Sequence, residues 1–392
     1  MPCTAKEAII LSEYYFERGF TMKSFCVVPE IVIAESCEEY FSQLNISSKD
    51  LLVTSEHIYN NYFEKYFSEA TVIFIRKYGS GEPTDVMADN ISEDIDNCRF
   101  SRVIAVGGGT ALDIAKLFAL KNHHPVCGLF SGEIKCEKNK ELILIPTTCG
   151  TGSEVTNISV LELTKMGTKK GLADNALFAD QAVLIPQLLY TLPFESFAAS
   201  SADALIHAIE SYLSPKATTF SRTFSKSAIK SIISGYKYVT ENGKGSQKDI
   251  AVQFLTASAE AGIAFQNAGC AAIHALSYPL GAACHCPHGK SNYIMLTGVM
   301  KKYEEKGGCE SYSKLCDVLG ECLGCPADKA ISSLDKLMSL LLNRPPLSSF
   351  GLSHEDLIDF AGSVYSNQQR LLSNDPIELT IEDFIDIYEK LY

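Results

Sequence analysis

Asp203 and His207 stand four residues apart in Ser201-Ala-Asp203-Ala-Leu-Ile-His207-Ala-Ile-Glu210, a stretch with helical apolar spacing. On a helix, that interval puts both side chains on one face, one turn above the other. A carboxylate and an imidazole so placed suit a divalent metal, although the ordinary reading of such a pair is a hydrogen bond on a helix. Two further histidines lie in a telling context downstream. His274 sits in Ala272-Ile-His274-Ala-Leu-Ser-Tyr278-Pro279, and His288 in Cys284-His285-Cys286-Pro287-His288-Gly289. Together the four residues make a possible one-carboxylate, three-imidazole set. Nitrogen and oxygen donors of this kind suit Fe(II), Zn, Co or Mn, and affinity alone does not choose among them. With one coordination position open, the ion acts as a Lewis acid on a substrate oxygen.

A second chemistry lies upstream. Val103-Ile-Ala-Val-Gly107-Gly108-Gly109-Thr110-Ala-Leu-Asp113-Ile-Ala-Lys116 reads as strand, glycine loop and helix. Glycines let the backbone approach a phosphate, and the helix N-terminus offers free N–H groups and the positive end of its dipole. The run is neither the G-x-G-x-x-G fingerprint nor a P-loop, and a glycine run after a strand also makes a plain tight turn. Pro146-Thr147-Thr148-Cys149-Gly150-Thr151-Gly152-Ser153-Glu154 follows another apolar strand. Loops beyond the carboxyl ends of parallel strands are where such sheets bind ligands. Thr147 and Thr148 can hydrogen-bond a nucleotide, the alternative being a long turn with a helix cap.

These residues need elements to hold them. Leu51–Thr54, Val72–Ile75, Arg102–Val106 and Leu142–Ile145 read as strands, and Asp85–Asn97 and Ala111–Leu120 as helices between them. Continuous apolar strands alternating with helices predict an α/β domain, a parallel sheet flanked by helices. Before it come a helical pattern at Lys6–Arg18, a strand-like Phe25–Ala34 and an amphipathic Cys37–Leu44. From Phe194 onward the period is helical throughout, at Ala202–Leu213, Thr223–Thr240, Ile250–Gly262, Ser311–Leu319, Ala327–Leu342 and His354–Ser363. Pro186, Leu192-Pro193 and the change of period predict a boundary near 190, with an α/β nucleotide-binding domain over 1–192 and an all-α metal-binding domain over 193–392.

Composition narrows the function. The 392 residues suffice for two cores. A net charge of −13 argues against nucleic acid or an anionic membrane as the partner. No apolar run reaches the roughly 18–20 residues needed to span a bilayer. Fourteen scattered cysteines without a secretory leader predict reduced thiols and a cytoplasmic protein. Cys284-x-Cys286 and Cys322-x-x-Cys325 lack the paired motifs of a structural zinc site.

Taken jointly and in this order, Gly107-Gly108-Gly109-Thr110-x-x-Asp113-x-x-Lys116, Pro146-Thr147-Thr148-x-Gly150-Thr151-Gly152-Ser153-Glu154, Asp203-x-x-x-His207, His274 and Pro287-His288-Gly289 resemble the iron-containing (group III) alcohol dehydrogenases, with their dehydroquinate synthase-like fold, along nearly the whole chain. Within that family the likeness is greatest to the branch acting on 4-hydroxybutyrate. The resemblance implies NAD(P) with its pyrophosphate on Gly107–Thr110, Asp113 in the same motif, and Thr147, Thr148 and Lys170 near the nicotinamide and its ribose. It implies Asp203, His207, His274 and His288 as ligands of a divalent metal, Fe(II) foremost with Zn as alternative. It also implies a homodimer or larger assembly, and a primary alcohol and aldehyde pair such as 4-hydroxybutyrate and succinate semialdehyde.

Departures matter. Many members carry a second histidine four residues after the third ligand; here Tyr278 stands there, so Tyr278 or His285 must serve as proton relay. Glu56, beside Ser55 after the early strand, favours NAD over NADP. Lys290, Arg370 and His285 are candidates for a cationic wall facing a substrate carboxylate. The rival expectations are a lyase or synthase on this fold, a dehydrogenase for a neutral alcohol or diol, and a non-catalytic nucleotide-binding protein.

Overall fold

Apolar runs too short for helices become the sheet. The computed structural model describes residues 23–392, so the helical pattern expected at Lys6–Arg18 lies outside the described residues. The strands are β1 (Glu30–Ile33), β2 (Asp50–Thr54), β3 (Thr71–Phe74), β4 (Arg102–Gly107), β5 (Glu141–Pro146), β6 (Ile158–Leu163), β7 (Thr168–Ala173) and β8 (Gln181–Leu184). Six form one parallel sheet in the order β1-β8-β5-β4-β2-β3, while β6 and β7 pair as a separate antiparallel hairpin. The central strands are buried on both faces, which is why their sequences run without polar alternation. Leu51, Val53, Val103, Ala105, Leu142 and Leu144 face one core, with Ile91, Leu112 and Phe118. The alternate residues Leu52, Ile104, Val106, Ile143 and Ile145 face the other, with Phe41, Phe63 and Phe67.

The chain leaves β2 for β3 on one side and β4 for β5 on the other. The switch of direction opens a crevice at the carboxyl ends of β2 and β4, the place where open α/β sheets hold ligands. Gly107 is the last residue of β4 and pairs with Pro146, the last of β5. The glycine loop and the Thr147–Glu154 loop therefore leave the sheet side by side.

The longer helices are α1 (Asp85–Ile95), α2 (Gly109–Phe118), α3 (Phe194–Leu213), α4 (Thr219–Asn242), α5 (Ala251–Ala268), α6 (Ala272–Cys284), α7 (His288–Glu305), α8 (Glu310–Leu323), α9 (Ala330–Ser339), α10 (His354–Asn367) and α11 (Ile381–Leu391). Every residue from Ser201 to Leu213 in α3 is buried. A helix enclosed on all sides is the centre of its layer, and α3 packs against α4, α5 and α7.

The alternation of strand and helix predicted before residue 190, and the helices predicted after Phe194, are what forms. Three details differ. The strand expected at Phe25–Ala34 contracts to Glu30–Ile33. The β6–β7 hairpin and β8 form in addition to the expected strands, and polar Thr, Lys and Glu interrupt the hairpin's apolar positions. Helices α7 and α11 likewise form in addition to the expected helices. No described helix is long and apolar enough to cross a membrane.

Candidate active site and metal centre

Asp203 and His207 do share a face of α3, yet they are not hydrogen-bonded to each other: Asp203 Oδ1 and His207 Nε2 are 4.0 Å apart, beyond hydrogen-bond range. His274 Nε2 from α6 and His288 Nε2 from the start of α7 each lie 3.6 Å from the same Oδ1. Three imidazoles thus converge on one carboxylate oxygen without bonding to it. The outer nitrogens explain why. His207 Nδ1 is 3.2 Å from the Gly150 carbonyl; a carbonyl only accepts, so Nδ1 carries the proton and Nε2 keeps its lone pair. His274 Nδ1 is 2.5 Å from Glu210 Oε2, which orients that ring the same way. His274 Nε2 is buried with no hydrogen-bond partner, a costly state for a polar atom unless something else takes its lone pair. The donor set and this orphaned nitrogen fit a divalent ion.

Burial alone would push the Asp203 carboxyl up, but His207, His288 and His274 around it outweigh that and hold it well below the usual carboxylate range. Asn292 Nδ2 donates to Asp203 Oδ1 at 2.7 Å, and Ser277 Oγ donates to Asn292 Oδ1 at 2.5 Å. Glu210 accepts from the backbone N–H groups of Ala271 (3.0 Å) and Ile273 (2.6 Å) as well as from His274. Its charge therefore sits at the amino end of α6, where the dipole favours it. Glu210, Asn292 and Ser277 went unread in the sequence. Glu210 had a signal, since it stands seven residues after Asp203 on the same face of α3. The approach of α7 to α3 needs Gly289: a Cβ there would lie 1.9 Å from the Ala199 carbonyl oxygen and 3.1 Å from Asp203 Cβ. The glycine after His288 lets the helices that carry Asp203 and His288 touch.

The glycine loop opens α2 with Gly108 as N-cap and no side chain capping it, and a helix terminus of this kind can accept an anion. Thr147 N–H donates to the Gly107 carbonyl at 3.0 Å, joining the two loops. Thr148 is half-buried beside Gly108, and Thr110 Oγ1 donates to the Gly81 carbonyl at 2.9 Å. Asp113 is otherwise engaged. Its carboxylate accepts from Ser153 Oγ at 2.5 Å and from Val160 N–H at 3.0 Å, bracing the second loop and β6. Lys116, fully buried, extends that brace to Ser153 Oγ (2.7 Å), Thr156 Oγ1 (3.2 Å) and the Ile158 carbonyl (2.6 Å). Gly152 has φ +58°, and a Cβ there would meet Gly262 Cα at 2.6 Å, so this loop can rest on α5 only as glycine.

Of the remaining candidates, Lys170 is exposed and donates to the Phe130 carbonyl at 2.8 Å. Its neighbour Lys169 points to the other face of β7, as adjacent strand residues must; it lies 3.4 Å from Glu82, and both are near enough to His288 to act on its charge. Tyr278 is half-buried one turn after His274, its ring centroid 6.0 Å from that of His288. Burial pushes its hydroxyl above the ordinary phenol range, against the pull of His274 and Arg370. Arg370 comes to the site from beyond α10: its Nη2 is 3.3 Å from where a Cβ on Gly171 would stand. Lys290 is half-buried on the first turn of α7. His285 is exposed in a left-handed conformation, φ 50°, at the end of α6.

Comparison with known proteins places this geometry. Residues 29–186 match the family model described as iron-containing alcohol dehydrogenase, and residues 197–392 match the C-terminal model of the Fe-containing alcohol dehydrogenase family. The chain is 43% identical over 371 residues to the 4-hydroxybutyrate dehydrogenase of Clostridium kluyveri, covering 95% of this chain and 100% of that one. It is 33% identical to the sulfoacetaldehyde reductase of Bilophila wadsworthia, covering 73% and 76%. The sulfoacetaldehyde reductase of Bifidobacterium kashiwanohense, solved in complex with NAD+, shares the fold with a TM-score of 0.82 at 22% identity, covering 95% and 99%. A six-stranded parallel sheet, a helical half carrying three histidines around an aspartate, and two family models spanning both halves lead to one conclusion: the chain belongs to the iron-containing alcohol dehydrogenase family.

Proposed function

We propose that this protein interconverts 4-hydroxybutyrate and succinate semialdehyde with NAD. The observation that carries the reading is the full-length 43% identity to a 4-hydroxybutyrate dehydrogenase, joined to a centre whose His207 is bonded to Gly150 of the nucleotide loop. In this reading residues 1–192 bind the dinucleotide and 193–392 hold the metal. Gly107, Gly108, Gly109 and Thr110 take the pyrophosphate at the amino end of α2, with Thr147 and Thr148 beside the nicotinamide end. Glu56 after β2 favours NAD over NADP. Asp203, His207, His274 and His288 hold a divalent ion, iron(II) before zinc, which when bound supplies Lewis acidity at the reacting oxygen.

The chain's own residues do the rest. Glu210 and the Gly150 carbonyl orient His274 and His207, and Asn292 orients Asp203. Tyr278 Oη, which like any phenol carries its proton at neutral pH, exchanges the alcohol proton in the place where relatives carry histidine; His285 serves as the outer relay to solvent. Arg370, with Lys290 as a further cation, receives the substrate carboxylate, and a guanidinium binds a carboxylate through two parallel N–H donors. Lys169 replaces Lys170 in the role near the nicotinamide, because β7 turns it toward Glu82 and His288. The protein works in the cytoplasm as a homodimer or larger homo-oligomer.

The test is consumption of NADH with succinate semialdehyde against a panel of neutral aldehydes, using protein purified without oxygen and assayed for metal. Preferential reduction of succinate semialdehyde supports the assignment. A neutral aldehyde or diol product turned over far faster makes the protein a neutral-alcohol dehydrogenase, and inertness with every aldehyde makes it a nucleotide-binding protein without catalysis.

A further inference from the structure

A second donor cluster overlaps the first. Cys270 sits just before α6, buried, and its thiol lies with His207 and His274 in a group whose ligand atoms are all within 4.8 Å of one another. Asp203, His274 and His288 form the other group of that kind among the described residues. His274, only 2% exposed, belongs to both groups, and its Nε2 has no hydrogen-bond partner. His207 Nε2 is the nitrogen left over once Nδ1 has bonded Gly150. The backbone around the thiol is fixed as well: the Cys270 carbonyl accepts from Asn374 Nδ2 at 2.7 Å, and the next N–H, that of Ala271, is held by Glu210. Neither Asp203 nor His288 belongs to the thiol's group.

We propose that Cys270 is an additional ligand of this centre, so that His207, Cys270 and His274 form an N₂S face for thiophilic divalent ions such as Zn(II) or Cd(II), while harder ions rest on the Asp203 and His288 side. The proposal rests on reading Asp203, His207, His274 and His288 as metal ligands. On binding, the Cys270 S–H proton is released to solvent and a metal–sulfur bond forms; nothing is oxidised or reduced. Soft thiolate selects such ions where imidazole and carboxylate alone do not. The consequence is a metal preference set inside one cavity: occupation of the sulfur face draws the ion away from the Asp203 oxygen.

The experiment uses the full-length protein, stripped of metal without oxygen and reloaded with Co(II) or Cd(II). Thiolate ligation gives a near-ultraviolet sulfur-to-metal charge-transfer band, which a centre of nitrogen and oxygen donors lacks. The band is expected in the natural chain and absent in Cys270→Ala and Cys270→Ser, with the visible Co(II) bands retained. Cd(II) affinity should fall at least about tenfold in both variants, the loss that removing even an outer-shell partner brings to a metal site. Visible Co(II) bands with no sulfur band in the natural chain overturn the proposal and leave the four-ligand reading standing. A band that survives both substitutions assigns the sulfur to another cysteine and also overturns it. No stoichiometric Co(II) binding at all overturns the four-ligand reading and this proposal together.

Discussion

Glu154 and Glu210 are each 1% exposed, and they mark the two regions of the molecule. Glu210, in the helical half, accepts two backbone N–H groups and His274 Nδ1. Glu154, at the end of the nucleotide loop, has neither carboxylate oxygen hydrogen-bonded. Burial pushes its pKa up to about 7, against the opposing pull of Lys116. The candidate metal centre is thus built by side chains that are themselves held by other side chains. The nucleotide region is built by backbone, with Asp113 and Lys116 clamping the loops from beneath and one carboxylate left near its titration point. A site of the first kind fails when any supporting group is lost. A site of the second kind tolerates side-chain changes better than changes of chain path.

The largest effect should follow from His274→Ala, which removes the group shared by both donor clusters. Bound divalent metal should drop to background, and turnover should fall by about 10²–10³-fold or more, the scale for losing one electrostatic stabiliser. Elemental analysis and an NADH assay on the same sample check this, and full activity without His274 would separate the histidine cluster from the chemistry. Glu210→Gln keeps shape and removes charge. Metal affinity should fall about 10–100-fold with nucleotide binding little changed, as metal titration and NAD binding would reveal; an equal loss of both would erase the contrast between the two regions.

Gly289→Ala tests how closely α7 must approach α3. The added methyl meets the Ala199 carbonyl, and overpacking of this kind costs about 1–3 kcal/mol, readable by denaturant unfolding together with weakened metal binding. A stable, metal-replete Gly289→Ala protein would mean that the helices can part without loss.

The last expected effect is a pH dependence. Glu154 holds its proton more tightly folded than unfolded, so the folded state binds more protons between the ordinary carboxylate value and about 7. Stability then declines as pH rises through that window and levels off above it. Glu154→Gln should flatten the decline and raise stability above pH 7 by about 1–3 kcal/mol, since each pKa unit corresponds to about 1.4 kcal/mol. Unchanged pH dependence of urea midpoints in the variant would show that Lys116 satisfies the charge.

Legibility differed between the regions for a physical reason. Backbone-built features announce themselves locally: Gly107-Gly108-Gly109 after Val103–Val106 already implies a loop opening a helix, and that is where α2 begins. The hairpin of β6 and β7 was not legible, because half its residues are polar and only the packing of Leu161 and Leu163 against the sheet's core fixes it. Lys169 and Lys170 are indistinguishable as neighbours in a chain, and strand orientation alone separates them. Arg370 could be named as a cation but not placed, since it reaches Gly171 from 199 positions away.

The sequence by itself determined the class of fold, the glycine loop that opens α2, and the pairing of Asp203 with His207 on one helical face, because periodicity and spacing are local properties. Only the tertiary structure decided that the pair is not a hydrogen bond. The outward bonds of His207 to Gly150 and of His274 to Glu210 turn two nitrogens inward on one carboxylate oxygen, and Gly289 lets α7 bring His288 Nε2 to the same oxygen. It also decided that Cys270 lies beside His207 and His274, for a thiol becomes a candidate ligand only when packing holds it near other donors.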